Sequence, residues 1–222
     1  MMTSWRNKHP VGFLNNGNET TEQLLRETLY NTRVIVKPLP GYASSALNRI
    51  SVGVDCDEVY PNIFIGDAAS ARNKAYLKRI GVTHVLNTAE GSAFGMVNTN
   101  SAYYKDTGIK YKGIHLLDLP LANISDYFYE TADFIEGGVT SGGKVLVHCL
   151  MGVSRSSTCV LSYLMIKRKY TAQEALRIVR QNRAVGPNDG FLRQLAELDN
   201  KLRRERERSS SSLSSARYCQ HL

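Results

Sequence analysis

The stretch Val147-His148-Cys149-Leu150-Met151-Gly152-Val153-Ser154-Arg155-Ser156 sets a cysteine and an arginine six positions apart, between an apolar run and a helical pattern. A strand, a tight loop and a helix N-terminus in that order form an anion cradle. Backbone N–H groups converge there, and the helix dipole adds about half a positive charge. Gly152 allows a backbone angle that other residues resist. Arg155, on the first helical turn, can grip two phosphate oxygens at once, which a lysine cannot. Cys149 then lies in a positive field, and comparable settings hold a thiol at about 3.5 to 7.5 instead of about 8.5. A thiolate aimed at bound phosphorus is a nucleophile for phosphoryl transfer through a phosphocysteine. Ser156 can donate a hydrogen bond to the sulfur and ease its departure, while Leu150, Met151, Gly152, Val153 and Ser154 line the cradle. His148 reads as a buried orienting residue, because a thiolate already ionised by its loop needs no base. A nucleotide-binding P-loop is excluded, since no Gly-Lys-Ser or Gly-Lys-Thr follows the glycine.

Expelling an alkoxide or phenoxide calls for a proton donor, worth about 10² to 10⁴ in rate. Asp118 and Asp126 lie upstream at plausible distance. Asp126 precedes the helical pattern at Tyr127-Phe128 and suits a cap, supplied by Ser125 or by Asp126 itself. Asp118 follows an apolar strand and precedes Pro120, which puts it on a loop at the sheet edge that bears Cys149. Its neighbours Leu117, Leu119 and Leu121 would desolvate it and help it stay protonated.

The elements that must carry these residues alternate between short apolar runs and helical periodicity from about 57 to 203, which predicts an α/β domain with a mostly parallel sheet. The expected strands cover 62–66, 83–88, 110–116 and 144–148. Helices are expected over 70–80, 126–136, 154–168, 171–183 and 189 to about 204, with a capping box at Thr171 and Glu174 and a cap at Asn188. A further short helix is predicted after Thr20, whose spacing to Gln23 also suits a capping box. Ligands of such sheets bind beyond the carboxyl ends of the strands, where Cys149 falls.

Composition bounds the rest. The 222 residues carry 28 basic and 20 acidic side chains, net +8, which suggests an anionic partner. Residues 201–222 hold six basic and two acidic side chains, so half of that charge is terminal. Residues 1–18 and 205–222 are expected to be flexible, the latter a basic, serine-rich tail; 19–56 are expected to form a helix and connector, and 57–204 the catalytic domain. No apolar run spans a membrane or matches a signal peptide, so the chain reads as soluble and intracellular, cytoplasmic or nuclear. Cys56, Cys149, Cys159 and Cys219 form no C-x-x-C pair or metal-ligand spacing, so free thiols and no metal or cofactor are expected.

The Cys149 to Ser156 segment resembles the signature of the cysteine-dependent protein tyrosine phosphatase superfamily, and the chain is similar to its small atypical dual-specificity phosphatases. The likeness extends through Asp57-Glu58-Val59-Tyr60-Pro61, Ile65-Gly66-Asp67, Gly81-Val82-Thr83-His84-Val85-Leu86-Asn87 and Gly186-Pro187-Asn188-Asp189-Gly190-Phe191-Leu192. Val97-Asn98-Thr99-Asn100 and Arg180-Gln181-Asn182-Arg183 point to the vaccinia-related subgroup. The resemblance implies a protein tyrosine phosphatase-like fold of about five strands. It also implies hydrolysis of phosphotyrosine, phosphoserine and phosphothreonine on proteins, with mitogen-activated protein kinases as suggested substrates. The family's acid matches Asp118. Phe94 matches a position lining the phosphotyrosine side, or is a satellite core residue; Arg183 either meets a second phosphate or is a solvated helix-end arginine; Asn188 braces the loop. The apolar Leu150, Met151 and Val153 stand where phosphoinositide and RNA phosphatases of the superfamily place lysines, which argues for protein over nucleic acid or inositol head groups. A catalytically dead phosphoprotein-binding module is the rival reading, disfavoured because Cys149 and Arg155 are both present.

Overall fold

The computed structural model describes residues 19–43 and 47–218, with the side chains of 47, 48 and 210–218 left aside. Its elements in order are α1 (Glu22–Asn31), α2 (Leu47–Val52), β1 (Cys56–Tyr60), β2 (Ile63–Gly66), α3 (Ala68–Arg72), α4 (Lys74–Ile80), β3 (His84–Asn87), β4 (Lys110–Gly113), α5 (Phe128–Thr140), β5 (Val145–His148), α6 (Arg155–Arg168), α7 (Ala172–Asn182) and α8 (Asp189–Tyr218). The strands form one sheet in the order β1-β2-β5-β3-β4. β5 pairs in parallel with β2 and β3, β3 in parallel with β4, and only β1 runs antiparallel.

β5 is central because Val145, Leu146, Val147 and His148 are all buried, the continuous apolar run of a strand covered on both faces. Its side chains alternate between two cores. Val145 and Val147 join Ile63, Ile65 and Leu86 under the helices α5 to α8, whereas Leu146 joins Phe64, Val85, Tyr76 and Ile80 on the other face. α6 is buried on nearly every side, from Arg155 to Ile166. Three of its buried hydroxyls are satisfied by carbonyls three or four residues back: those of Ser157 and Thr158 donate to the Ser154 carbonyl at 2.8 and 2.9 Å, and that of Ser162 to Cys159 O at 3.0 Å. A buried helix with serines inside is thereby possible without orphaned hydroxyls.

Several boundaries differ from the pattern of the sequence. The strand β1 is an addition: Asp57 interrupts its apolar run, yet the acid is buried and paired with Arg49 and Arg183. The helix expected over 70–80 divides at Asn73, whose side chain accepts from Tyr76 N–H and starts a second helix. Thr21, not Thr20, caps α1 by accepting from Leu24 N–H, because Thr20 is buried with its hydroxyl donated to Asp199 at 2.7 Å. Neither Ser125 nor Asp126 caps α5; they lie in a 3₁₀ turn, and Tyr127 precedes the helix without a side-chain cap. α5 also continues past Glu136 through two glycines, since a Cβ at Gly138 would lie 2.5 Å from Val145 Cγ2 and close approach to the sheet demands its absence. The tail expected from 205 is helical backbone as far as Tyr218, a continuation for which the Arg and Glu residues of 203–208 are good helix formers. Residues 1–18, expected to be flexible, and Cys219 lie outside the described residues.

Candidate active site

The loop between β5 and α6 is held from outside by its carbonyls. Leu150 O accepts from Ala68 N–H at 3.0 Å, Met151 O from Arg183 Nη2 at 3.2 Å, Gly152 O from Arg183 Nε at 2.8 Å, and Val153 O from Gly186 N–H at 3.0 Å. With four successive carbonyls turned outward, the loop's N–H groups are left to face the sulfur. Gly152 makes the turn at φ 66°, and a Cβ there would lie 2.5 Å from Gly66 O, so glycine is required both by backbone angle and by space.

Cys149 is buried at the centre of this ring. Gly152 N–H donates to its Sγ at 3.2 Å, and the Ser156 hydroxyl stands 3.4 Å away. Burial alone would push the thiol up, but the Ser156 hydroxyl and N–H, the Arg155 charge and the Val153 N–H together outweigh it and hold the thiol below its usual value. Cys56 and Cys159 show the contrast: equally buried and without such a ring, both are pushed up to about 12.

Arg155 is 3% exposed and spans three segments. Its Nη1 donates to Leu116 O at 3.0 Å and its Nη2 to Gly95 O at 2.9 Å, while Met96 Sδ lies 3.6 Å from Nη1. The buried Nε lies 3.4 Å from Asp118 Oδ2 outside hydrogen-bond alignment, a donor still available to an anion in the cradle. Asp118 is held by the Ser154 hydroxyl at 2.8 Å and the Asn188 amide at 2.9 Å, both on Oδ1. Asn188 also caps α8 through Phe191 N–H, so one side chain ties the carboxylate to the helix and the helix to the loop. Gly190 completes the fit: a Cβ there would lie 1.8 Å from Pro120 O. Nothing in the spacing around Gly190 signals this role, because the need for glycine arises only where α8 and the 117–121 loop meet.

Three expectations change in the folded chain. Arg183 does not stand free for a second phosphate: it is 4% exposed, its Nη1 binds Asp57 at 2.8 Å, its Nη2 binds Asp55 at 2.7 Å, and its remaining bonds hold the loop carbonyls. A buried guanidinium needs paired charge, which Asp57 of β1 and Asp55 just before that strand supply. Phe94 is fully exposed and belongs to no core. Leu117, Leu119 and Leu121 are exposed, so they do not desolvate Asp118; polar donors surround the carboxylate instead.

His148 is buried, with Nδ1 3.3 Å from Cys149 O and no partner for Nε2 among the described residues. Burial pushes its pKa down to about 4, against the Cys149 carbonyl bond that raises it and with the charges of Arg72 and Arg155 that lower it further. The folded state therefore prefers neutral imidazole. Its contribution is fully present above about 6.5, the unfolded value, and is lost as pH falls toward 4. Thermal unfolding followed by circular dichroism should show a fall in Tm across that window, and His148→Gln should flatten that component relative to the native chain.

With this geometry in view, residues 63–201 match the family of the dual specificity phosphatase catalytic domain. The chain belongs to the dual-specificity phosphatases. Human dual specificity protein phosphatase 13B is 46% identical over 150 residues, covering 67% of this chain and 75% of its own length. The mouse protein of the same name is 45% identical over 191 residues, covering 83% and 96%. The crystal structure of human DUSP28 superposes with a TM-score of 0.59 at 25% identity, covering 77% of this chain and 99% of its own. That of DUSP15 gives 0.57 at 29% identity, covering 70% and 95%. Membership makes the chain an atypical dual-specificity phosphatase, a protein phosphatase for tyrosine and for serine or threonine. Among the described residues no helix is long and apolar enough to cross a membrane.

Proposed function

We propose that this dual-specificity phosphatase works through Cys149 as nucleophile, Arg155 as phosphate clamp, Asp118 as general acid and then base, and Ser156 as the donor that stabilises the departing thiolate. The observation that carries the reading is the Cys149 sulfur, ringed by the Gly152 N–H and the Ser156 hydroxyl and lowered in pKa despite its burial. In the first step the thiolate forms an S–P bond as the P–O bond to the substrate breaks, and protonated Asp118 delivers its proton to the leaving oxygen. In the second, Asp118 takes a proton from water as that water attacks phosphorus, and the S–P bond breaks to return the thiolate. Phosphoryl oxygens would be met by the N–H groups of residues 150–155 and by Arg155 Nε. Asn188 and Ser154 position Asp118, and Arg183 positions the loop.

The assignment of the acid is tested by a pair of variants. Asp118→Asn should lower kcat for an aryl phosphate by about 10² or more, whereas Asp126→Asn, in a 3₁₀ turn at 125–127, should stay near the native value. The reverse outcome would move the role to Asp126. Mitogen-activated protein kinases remain the substrates that the resemblance implies, in the cytoplasm or nucleus. The side chain expected to receive a second phosphate of a doubly phosphorylated peptide is, however, engaged with Asp55 and Asp57.

A further inference from the structure

Ten large apolar side chains are exposed among the described residues, and five of them, Phe94, Leu117, Leu119, Leu121 and Met151, belong to the three loops around Cys149. These loops are distant in sequence but share one anchor. Arg155 donates to Gly95 O in the first and to Leu116 O at the start of the second, and it directly follows the third. Asp118 in the second loop is bonded by Ser154 in the third. Phe94 and Leu121 are essentially fully exposed at 102% and 95%, so they are not lids on the core but surface around the mouth.

The three loop segments carry little charge of their own. Residues 91–97, 117–121 and 149–154 include no lysine, arginine or glutamate, and their single aspartate is Asp118 itself. The net +8 of the chain lies elsewhere, half of it in residues 201–222. An acidic side chain brought against these segments would lose water without gaining an opposite charge from them, while an apolar one would remove its own surface and theirs from water together. Exposed apolar side chains on the loops beside a ligand site suit a ligand that is apolar next to its reactive group.

From the exposed apolar side chains of these loops and their lack of lysine and arginine we infer that the chain takes phosphopeptide segments with apolar residues beside the phosphorylated side chain and discriminates against acidic flanks. The inference rests on the phosphatase reading above and specifies its substrate. Leu119 and Leu121, two and four positions after Leu117, project from the loop that carries the acid, so the flank they meet is adjacent to the scissile bond. Burying one such side chain on each side of the phosphate is worth about tenfold or more in kcat/KM.

The test uses the full chain and phosphopeptides identical except at the two positions on either side of the phosphoresidue, occupied by Leu, Ser, Lys or Glu. Phosphate release is measured against p-nitrophenyl phosphate for every enzyme preparation. The Leu-flanked peptide should exceed the Glu-flanked one by about tenfold or more in kcat/KM. Leu121→Ser and Leu119→Ser, each normalised to its own aryl phosphate rate, should bring that ratio toward one. Equal rates, or faster turnover of the Glu-flanked peptide, would overturn the inference while aryl phosphate hydrolysis kept the phosphatase reading intact. Absence of aryl phosphate hydrolysis would sink the phosphatase reading first and this inference with it. Faster turnover of a phosphorylated lipid in vesicles than of the Leu-flanked peptide would overturn the inference in favour of a lipid. A dimer forming with concentration and suppressing aryl phosphate turnover would give these loops to a second copy of the chain, and would overturn it equally.

Discussion

Cys149→Ser is expected to abolish turnover of p-nitrophenyl phosphate, by about 10⁴-fold or more, while leaving phosphopeptide binding in place. The loop lowers the thiol by directing a Gly152 N–H, the Ser156 hydroxyl and the Arg155 charge at one atom. A serine hydroxyl starts from a far higher pKa, and the same field does not bring it to the ionised state near neutral pH. No base stands ready to take its proton: His148 turns Nδ1 toward the Cys149 carbonyl. The N–H groups of the loop depend on carbonyls anchored by Ala68, Arg183 and Gly186, not on the sulfur, so the cradle survives the substitution. Release of nitrophenolate with a chelator present, together with fluorescence anisotropy of a labelled phosphopeptide, checks both halves. Turnover near the native rate would remove Cys149 from the chemistry.

Arg155→Lys should lower kcat/KM by about 10² to 10³ and also lower Tm, a pairing that the cysteine variant lacks. The guanidinium reaches Leu116 O and Gly95 O with separate nitrogens and keeps Nε toward the cradle. An ammonium keeps the charge but has one nitrogen, so it cannot hold two carbonyls on different loops and still meet a phosphate. At 3% exposure no water replaces the lost donor. The loss of one charge-assisted bond costs about 2 kcal/mol, which in a chain of this size lowers Tm by about 4 to 8 °C. Steady-state kinetics and calorimetry on the same preparation test the claim, and a kcat/KM within about tenfold of the native value would refute the clamp. Loss of stability with kinetics intact would leave Arg155 as a brace between loops only.

The contrast between Arg155 and Arg183 shows where sequence reading stops. Both arginines are buried, at 3% and 4% exposure; Arg155 directly follows the loop of Cys149, and Arg183 bonds to its carbonyls. Arg155 is six residues from Cys149 on a predicted helix turn, so local geometry alone keeps it beside the loop. Arg183 lies 34 residues from Cys149, and its direction depends on β1, a strand whose acids disguise it. Asp55 and Asp57 then claim its guanidinium, and its Nε is left to hold Gly152 O. The caps divide in the same way. Thr171 with Glu174 closes a capping box within four residues, as its spacing predicts, whereas Thr20 is drawn away by Asp199 and Asn200, about 180 residues distant.

The loop around Cys149, the parallel strands that carry it and the place of Asp118 on a neighbouring loop were legible in the amino-acid sequence alone, because each depends on residues within one strand-loop-helix unit or on a local period. Tertiary structure decided what lies between such units. It spent Arg183 on two aspartates, required Gly190 where α8 meets Pro120, and left Leu117, Leu119 and Leu121 exposed, as it did Phe94 and Met151. Those outcomes depend on which distant groups arrive at the same place, and a charge, a close approach or an exposed leucine has no counterpart in the spacing of its neighbours along the chain.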